Sequence, residues 1–148
     1  MLYIASDHAG FQLKKELIKY IQSELNQEIT DLGPEILIET DDFPDYAVPL
    51  AKTVAQNKES FGILICGSGH GTCIAANKIK GAYAILGYNI RATELGRKDN
   101  NANILCLGAR LLPSADFAKA IVKKFLDTKF DGDERFKRRN KKIEELEI

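Results

Sequence analysis

A chain of 148 residues, 45% hydrophobic and 28% charged, has the size and composition of one globular domain around one core, which excludes two independent domains and a disordered or fibrous protein. Its 21 basic and 21 acidic side chains cancel, which removes the cationic excess needed for sequence-independent nucleic-acid binding. No apolar run reaches the length of a membrane span, and three cysteines at spacings unlike CxxC leave little for disulfides or a metal site. The expectation is a cytoplasmic protein without membrane or nucleic-acid partners, metal or cofactor.

Leu2–Ser6 reads as a first strand. After it, Leu13, Leu17, Ile21 and Leu25 recur every four residues with Ile18 beside them, an apolar stripe on one side of a helix, with Lys14, Lys15 and Lys19 expected on the other. A short strand is expected at 28–32, stopped by Gly33-Pro34. The stretch 39–46 reads as a loop entering a helix, with Pro44 in the first turn and the end near Ala55. Phe61–Cys66 is a continuous apolar run of the kind buried on both faces of a sheet. The glycine-rich loop after it opens a helix to about Ile79. Strand 82–86, helix 90–98, strand 102–107 and a helix from Pro113 to about Asp127 follow.

This alternation predicts an α/β protein over residues 1–148: a three-layer α/β/α, Rossmann-like domain with a five-stranded parallel sheet and a C-terminal helical extension. The extension, 131–148, is highly charged, and Phe136, Ile143 and Leu146 are too few to form a core of their own. It is expected to pack on a partner subunit.

Open parallel sheets bind ligands at the carboxyl ends of their strands. Three segments expected there carry unusual residues: Ser6-Asp7-His8-Ala9-Gly10, Cys66-Gly67-Ser68-Gly69-His70-Gly71-Thr72 and Arg97-Lys98-Asp99-Asn100-Asn101. Gly67, Gly69 and Gly71 permit positive φ and bring backbone N–H groups close to an anion. The loop is neither a Walker A sequence nor GxGxxG, and a tight strand-to-helix turn would use the same small residues. Cys66 stands directly before these donors, which suits a thiolate acting as base or nucleophile. Cys73, in a helix, and Cys106, in an apolar strand, read as buried and inert. Asp7 doubles as a helix cap, Tyr46 fits either the core or a sugar hydroxyl, and His70 is a polar loop residue.

Taken together, Ser6 to Gly10, Asp42-Phe43-Pro44-Asp45-Tyr46, Ile65 to Gly71, Ile74-Ala75-Ala76-Asn77-Lys78 and Asn100-Asn101-Ala102-Asn103 resemble the ribose-5-phosphate isomerase B family and its sugar-phosphate isomerase relatives, including galactose-6-phosphate isomerase. The resemblance spans nearly the whole chain. It implies interconversion of ribose 5-phosphate and ribulose 5-phosphate, a pentose phosphate pathway step, through a cis-enediolate. Cys66 matches the base of the cysteine-type members; a second branch places a glutamate where Thr72 stands. Ser68 matches the hydroxyl that assists proton movement, and the amides from Gly67 through Gly69 and His70 to Gly71 match an anion hole. Asp7, His8, Tyr46 and Asn100 match substrate contacts, and Arg110 a phosphate-binding arginine.

Further phosphate contacts are implied for the tail, where Arg138 keeps one expected arginine, Glu134 replaces another, and Arg135 is the candidate to compensate. In the family this tail enters the neighbouring subunit's site, implying a homodimer with shared active sites and leaving a tetramer open. Asp99 occupies the place of the ring-opening histidine and is a weaker base near neutral pH than imidazole, which leaves three readings: a different substrate, slower ring opening, or ring opening by another residue, with His70 one candidate. These departures keep two alternatives in view: a hexose 6-phosphate substrate such as allose or galactose 6-phosphate, and a non-catalytic sugar-phosphate sensor.

Overall fold

Residues 1–147 are described by a computed structural model. Five strands alternate with helices: β1 (Leu2–Ser6), α1 (Phe11–Ser23), β2 (Thr30–Asp31), α2 (Pro44–Ala55), β3 (Phe61–Cys66), α3 (His70–Ala76), β4 (Ala84–Leu86), α4 (Ile90–Asn100), β5 (Ile104–Gly108), α5 (Ala115–Asp127) and α6 (Glu134–Glu144). All pairings are parallel, in the order β2-β1-β3-β5-β4. The apolar run Phe61–Cys66 is therefore the central strand, bonded to β1 through Ile63 opposite Ile4 and to β5 through Leu64 opposite Cys106.

Alternation along β3 divides the core. Ile63 and Ile65 point to the face covered by Leu17 and Ile21 of α1 and Ile121 and Phe125 of α5. Leu64 points to the other, against Leu50 and Val54 of α2 and Ala76 of α3. Because α1 leaves β1 towards one face and α3 leaves β3 towards the other, a crevice opens between the carboxyl ends of these two strands.

Several boundaries move from their sequence-based positions. The second strand shrinks to two exposed edge residues. Helix α3 stops at Ala76 because Asn77 turns its side chain onto β4: its Nδ2 donates to the Ala84 carbonyl at 2.9 Å and its Oδ1 accepts the Ala84 N–H at 2.8 Å. Helix α4 continues to Asn100 and ends on Asn101, whose φ of 52° is left-handed.

Lys14 corrects the expected helix faces. Its ammonium is buried beneath the chain that follows β2, donating to both oxygens of Asp31 at 2.8 and 2.9 Å and to the Pro34 carbonyl at 2.6 Å. The pair and the carbonyl satisfy a charge that burial alone would strand.

Arg97 is likewise structural. Its guanidinium lies 4.8 Å from the Phe61 ring centroid and 5.6 Å from that of Phe125, and it donates to the Thr128 and Ala102 carbonyls. Burial depresses its pKa.

The tail packs on the body of the same chain. Phe136 is buried, Asn140 donates to the Asp99 carbonyl at 3.5 Å, and Glu147 accepts the Gly81 N–H at 3.1 Å. Among the described residues no helix is long and apolar enough to cross a membrane.

Candidate active site

The crevice is bordered by the ends of β1 and β3. Asp7 continues β1, donates its N–H to the Ile65 carbonyl at 3.2 Å and accepts the Gly10 N–H on its side chain at 3.2 Å. It is both a cap and a crevice residue. Across from it, Cys66 is 4% exposed, and its thiol accepts the Gly69 N–H at 3.2 Å and lies 3.5 Å from Thr72 Oγ1. The Thr72 hydroxyl reaches the Gly69 carbonyl at 3.2 Å. Donated there, it leaves its oxygen to accept the Cys66 S–H; turned round, it donates to a thiolate.

The three loop glycines have different reasons to be glycine. Only Gly69 has a left-handed φ, 79°, which lets its N–H turn back to the thiol. A Cβ on Gly71 would lie 2.6 Å from the Phe43 ring, and one on Gly67 3.3 Å from the Arg110 guanidinium. Arg110 therefore folds over the start of the loop, anchored by its N–H to the Gly67 carbonyl at 2.9 Å. Ser68 Oγ accepts the His70 N–H at 3.4 Å, and His70 itself is exposed.

His8 is held by a residue to which the sequence draws no attention. One oxygen of Asp41, Oδ1, accepts both the His8 backbone N–H at 3.0 Å and a hydrogen bond from His8 Nδ1 at 2.7 Å. The Asp41 side chain is 5% exposed and its Oδ2 is buried without a hydrogen-bond partner. Burial pushes the Asp41 carboxyl up, but the two His8 contacts and the nearby Tyr46 hydroxyl outweigh it and hold the carboxyl below its ordinary range. Tyr46 moves the opposite way, raised by burial and by the carboxylates of Asp41, Asp45 and Asp7. The ligating atoms of Asp7, His8 and Asp41 fall within 4.8 Å of one another; the Gly10 N–H already engages Asp7 Oδ1, and His8 engages Asp41 Oδ1.

Asp7, His8, Tyr46, Cys66, Gly67, Ser68, Gly69, His70, Gly71 and Arg110 thus gather at the carboxyl end of the sheet. Asp99, Asn100, Arg135 and Arg138 do not join them. A helix following a parallel strand returns the chain to the amino end of the sheet, so the last turn of α4 carries Asp99 and Asn100 there. This corrects the expectation that their segment meets Cys66 within one chain. Arg135 and Arg138 are exposed on α6. At this end Asn100 lines a cavity of about 470 Å³ with Phe61, Tyr83, Phe130, Lys137 and Lys141. The Tyr83 hydroxyl is pushed up to about 12 by burial and by Glu147.

Cys73 and Cys106 sit behind Thr72, away from the crevice. Their mutual hydrogen bond lowers Cys73, while burial raises Cys106.

Asp41 is the site residue that sequence reasoning missed; Thr72 was noted only as the position where a second branch of the family carries a glutamate. Nothing separates Asp41 from Asp42 in the chain, and its partner is 33 residues away. For its contact with the thiol, Thr72 carried one signal, its place three residues, about one helical turn, after the loop's middle glycine.

An anion-accepting loop and a buried thiol at the crevice of a parallel sheet define a three-layer α/β protein built to hold a small polar ligand. The pattern of the ribose/galactose isomerase family matches residues 2–143. The chain belongs to that family and is an isomerase. It is 46% identical over 142 residues to the "probable ribose-5-phosphate isomerase B" of Mycoplasma pneumoniae, covering 96% of this chain and 92% of that one. It is 36% identical over 129 residues to the D-erythrulose-4-phosphate isomerase of Pectobacterium atrosepticum, covering 87% and 84%. The crystal structure of ribose-5-phosphate isomerase B from Mycoplasma genitalium with bound ribulose-5-phosphate superposes with a TM-score of 0.93 at 40% identity, covering 99% of this chain and 95% of that one.

Proposed function

We propose that the protein interconverts ribose 5-phosphate and ribulose 5-phosphate through a cis-enediolate, with Cys66 as the base. The observation that carries this is the Cys66 thiol accepting the Gly69 N–H at 3.2 Å inside the glycine loop. The thiolate takes the proton from C2 of the open-chain aldose and returns it to C1. Ser68 assists transfer of the hydroxyl proton between O2 and O1, and the loop amides face the negative charge of the intermediate. Arg110 is the phosphate contact from the same chain.

The second group, Asn100, Arg135, Arg138 and Asp99, reaches a substrate at Cys66 only from another copy. A homodimer with each site built from both subunits accommodates their position at the opposite end of the sheet, with the tail contributing its arginines across the interface.

Turnover of ribose 5-phosphate without added metal, compared with Cys66→Ala, tests the assignment. The alanine variant is expected to lose activity on the order of 1,000-fold with unchanged melting. Wild-type turnover in that variant would remove Cys66 from the mechanism. A sugar phosphate of another length is a second reading, favoured by the identity to the D-erythrulose-4-phosphate isomerase and by Asp99. A panel of four-, five- and six-carbon phosphates decides it by kcat/KM.

A further inference from the structure

We propose that His8 is the base that opens the sugar ring, with Asp41 as the residue that positions it. His8 takes this role only if the chain runs the aldose–ketose reaction proposed above. An aldopentose 5-phosphate closes on itself through O4, and the enediolate forms only from the open aldehyde. Opening calls for a proton acceptor that works near neutral pH, and imidazole is the side chain whose ordinary range lies there. The chain has two histidines. His70 is exposed on the loop, whereas His8 is fixed at the crevice by two hydrogen bonds to one oxygen of Asp41.

A carboxylate only accepts. Asp41 therefore holds the hydrogen on His8 Nδ1 and leaves Nε2 as the acceptor, the arrangement by which a buried carboxylate sets the tautomer and orientation of a working histidine. His8 keeps a third of its side-chain surface exposed while Asp41 is buried, so the ring can meet a ligand and its holder cannot. Asp99, the sequence-level candidate, lies at the opposite end of its own sheet.

In the step, Nε2 takes the hydrogen of the anomeric hydroxyl and that oxygen's electron pair forms the C1 carbonyl. The C1–O4 bond breaks with its electrons going to O4. A water molecule gives O4 a proton and recovers one from the imidazolium, so the step is neutral overall.

Hydrogen exchange at C1 of ribulose 5-phosphate separates enediolate formation from ring opening. The carbonyl of this ketose is at C2 and its O5 is esterified, so no five-membered ring closes and it enters the site as an open chain. For His8→Gln, kcat/KM is expected to fall on the order of 100-fold in both directions, as the unchanged overall equilibrium requires, while the rate at which ribulose 5-phosphate exchanges a C1 hydrogen for solvent deuterium stays within about threefold of wild type. For Asp41→Asn the loss of turnover is expected to be about tenfold, again with the C1 exchange retained. Loss of the C1 exchange in proportion to turnover, or no loss of turnover, overturns the assignment.

Long-range proton–nitrogen correlation spectra of the two imidazoles give an independent readout in the wild-type protein, whether or not a variant folds. Hydrogen on Nδ1 of His8 is expected, and hydrogen on Nε2 alone overturns the role of Asp41. If the wild-type protein turns over neither pentose phosphate, the proposed substrate falls, and the tautomer still tests the positioning by Asp41.

Discussion

At the carboxyl end of the sheet the polar groups are tied to one another: Cys66 to Gly69, Thr72 to Gly69, His8 to Asp41, Asp7 to Gly10. At the amino end Arg97 is committed to Phe61, Phe125 and backbone carbonyls, while Asn100, Arg135 and Arg138 remain exposed. The first end is organised within one chain. The second has a structural anchor, a cavity that Asn100 lines, and Arg135 and Arg138 exposed on α6.

The strongest way to break this contrast is to disable the two ends in different molecules. Cys66→Ala and Arg138→Ala are each expected to be poorly active alone. Mixed in equal amounts and allowed to exchange subunits, they should recover about a quarter of wild-type activity, because half the randomly paired dimers then hold one intact site. No recovery despite proven exchange would mean that Cys66 and Arg138 do not serve a common site.

Phe125→Ala attacks the anchor. It removes the edge-to-face contact with Phe61, whose centroid is 6.0 Å away, and uncovers one side of Arg97. A stability loss of about 4 kcal/mol is expected in denaturant titrations, with activity per folded molecule retained because the carboxyl end is untouched. A large fall in kcat at low temperature would show that the two ends are not independent.

The smallest effect concerns the tail. Tyr83 ionises at about 12 in the folded chain because of burial and Glu147, against about 10 in an unfolded one. Above pH 10 the unfolded state therefore releases the proton first, and stability falls as pH rises towards 12. Tyr83→Phe should melt like the wild type at pH 8 and above it at pH 11. Identical alkaline curves would show that Tyr83 is not held there.

Much of this was legible in the chain because it is written locally. The run Phe61–Cys66 has no polar residue to expose and so declares a central strand. Cys66 and the loop glycines are adjacent, so their meeting needs no knowledge of the fold. Asp41 was not legible, since its meaning lies in His8, and Lys14 read as a surface lysine until Asp31 and the Pro34 carbonyl closed over it. Asp99 and Asn100 were misplaced for a topological reason: their residue types suggested a site, but the length and direction of α4 decide which end of the sheet they occupy.

By itself, then, the sequence determined the alternating strands and helices, the family, and the thiol-and-glycine loop, because hydrophobic period and adjacency are properties of short segments. The tertiary structure alone decided which polar groups share an end of the sheet, which cations are spent on packing, and that Asp41 stands behind His8. Those facts depend on contacts between residues tens of positions apart, which no local pattern encodes.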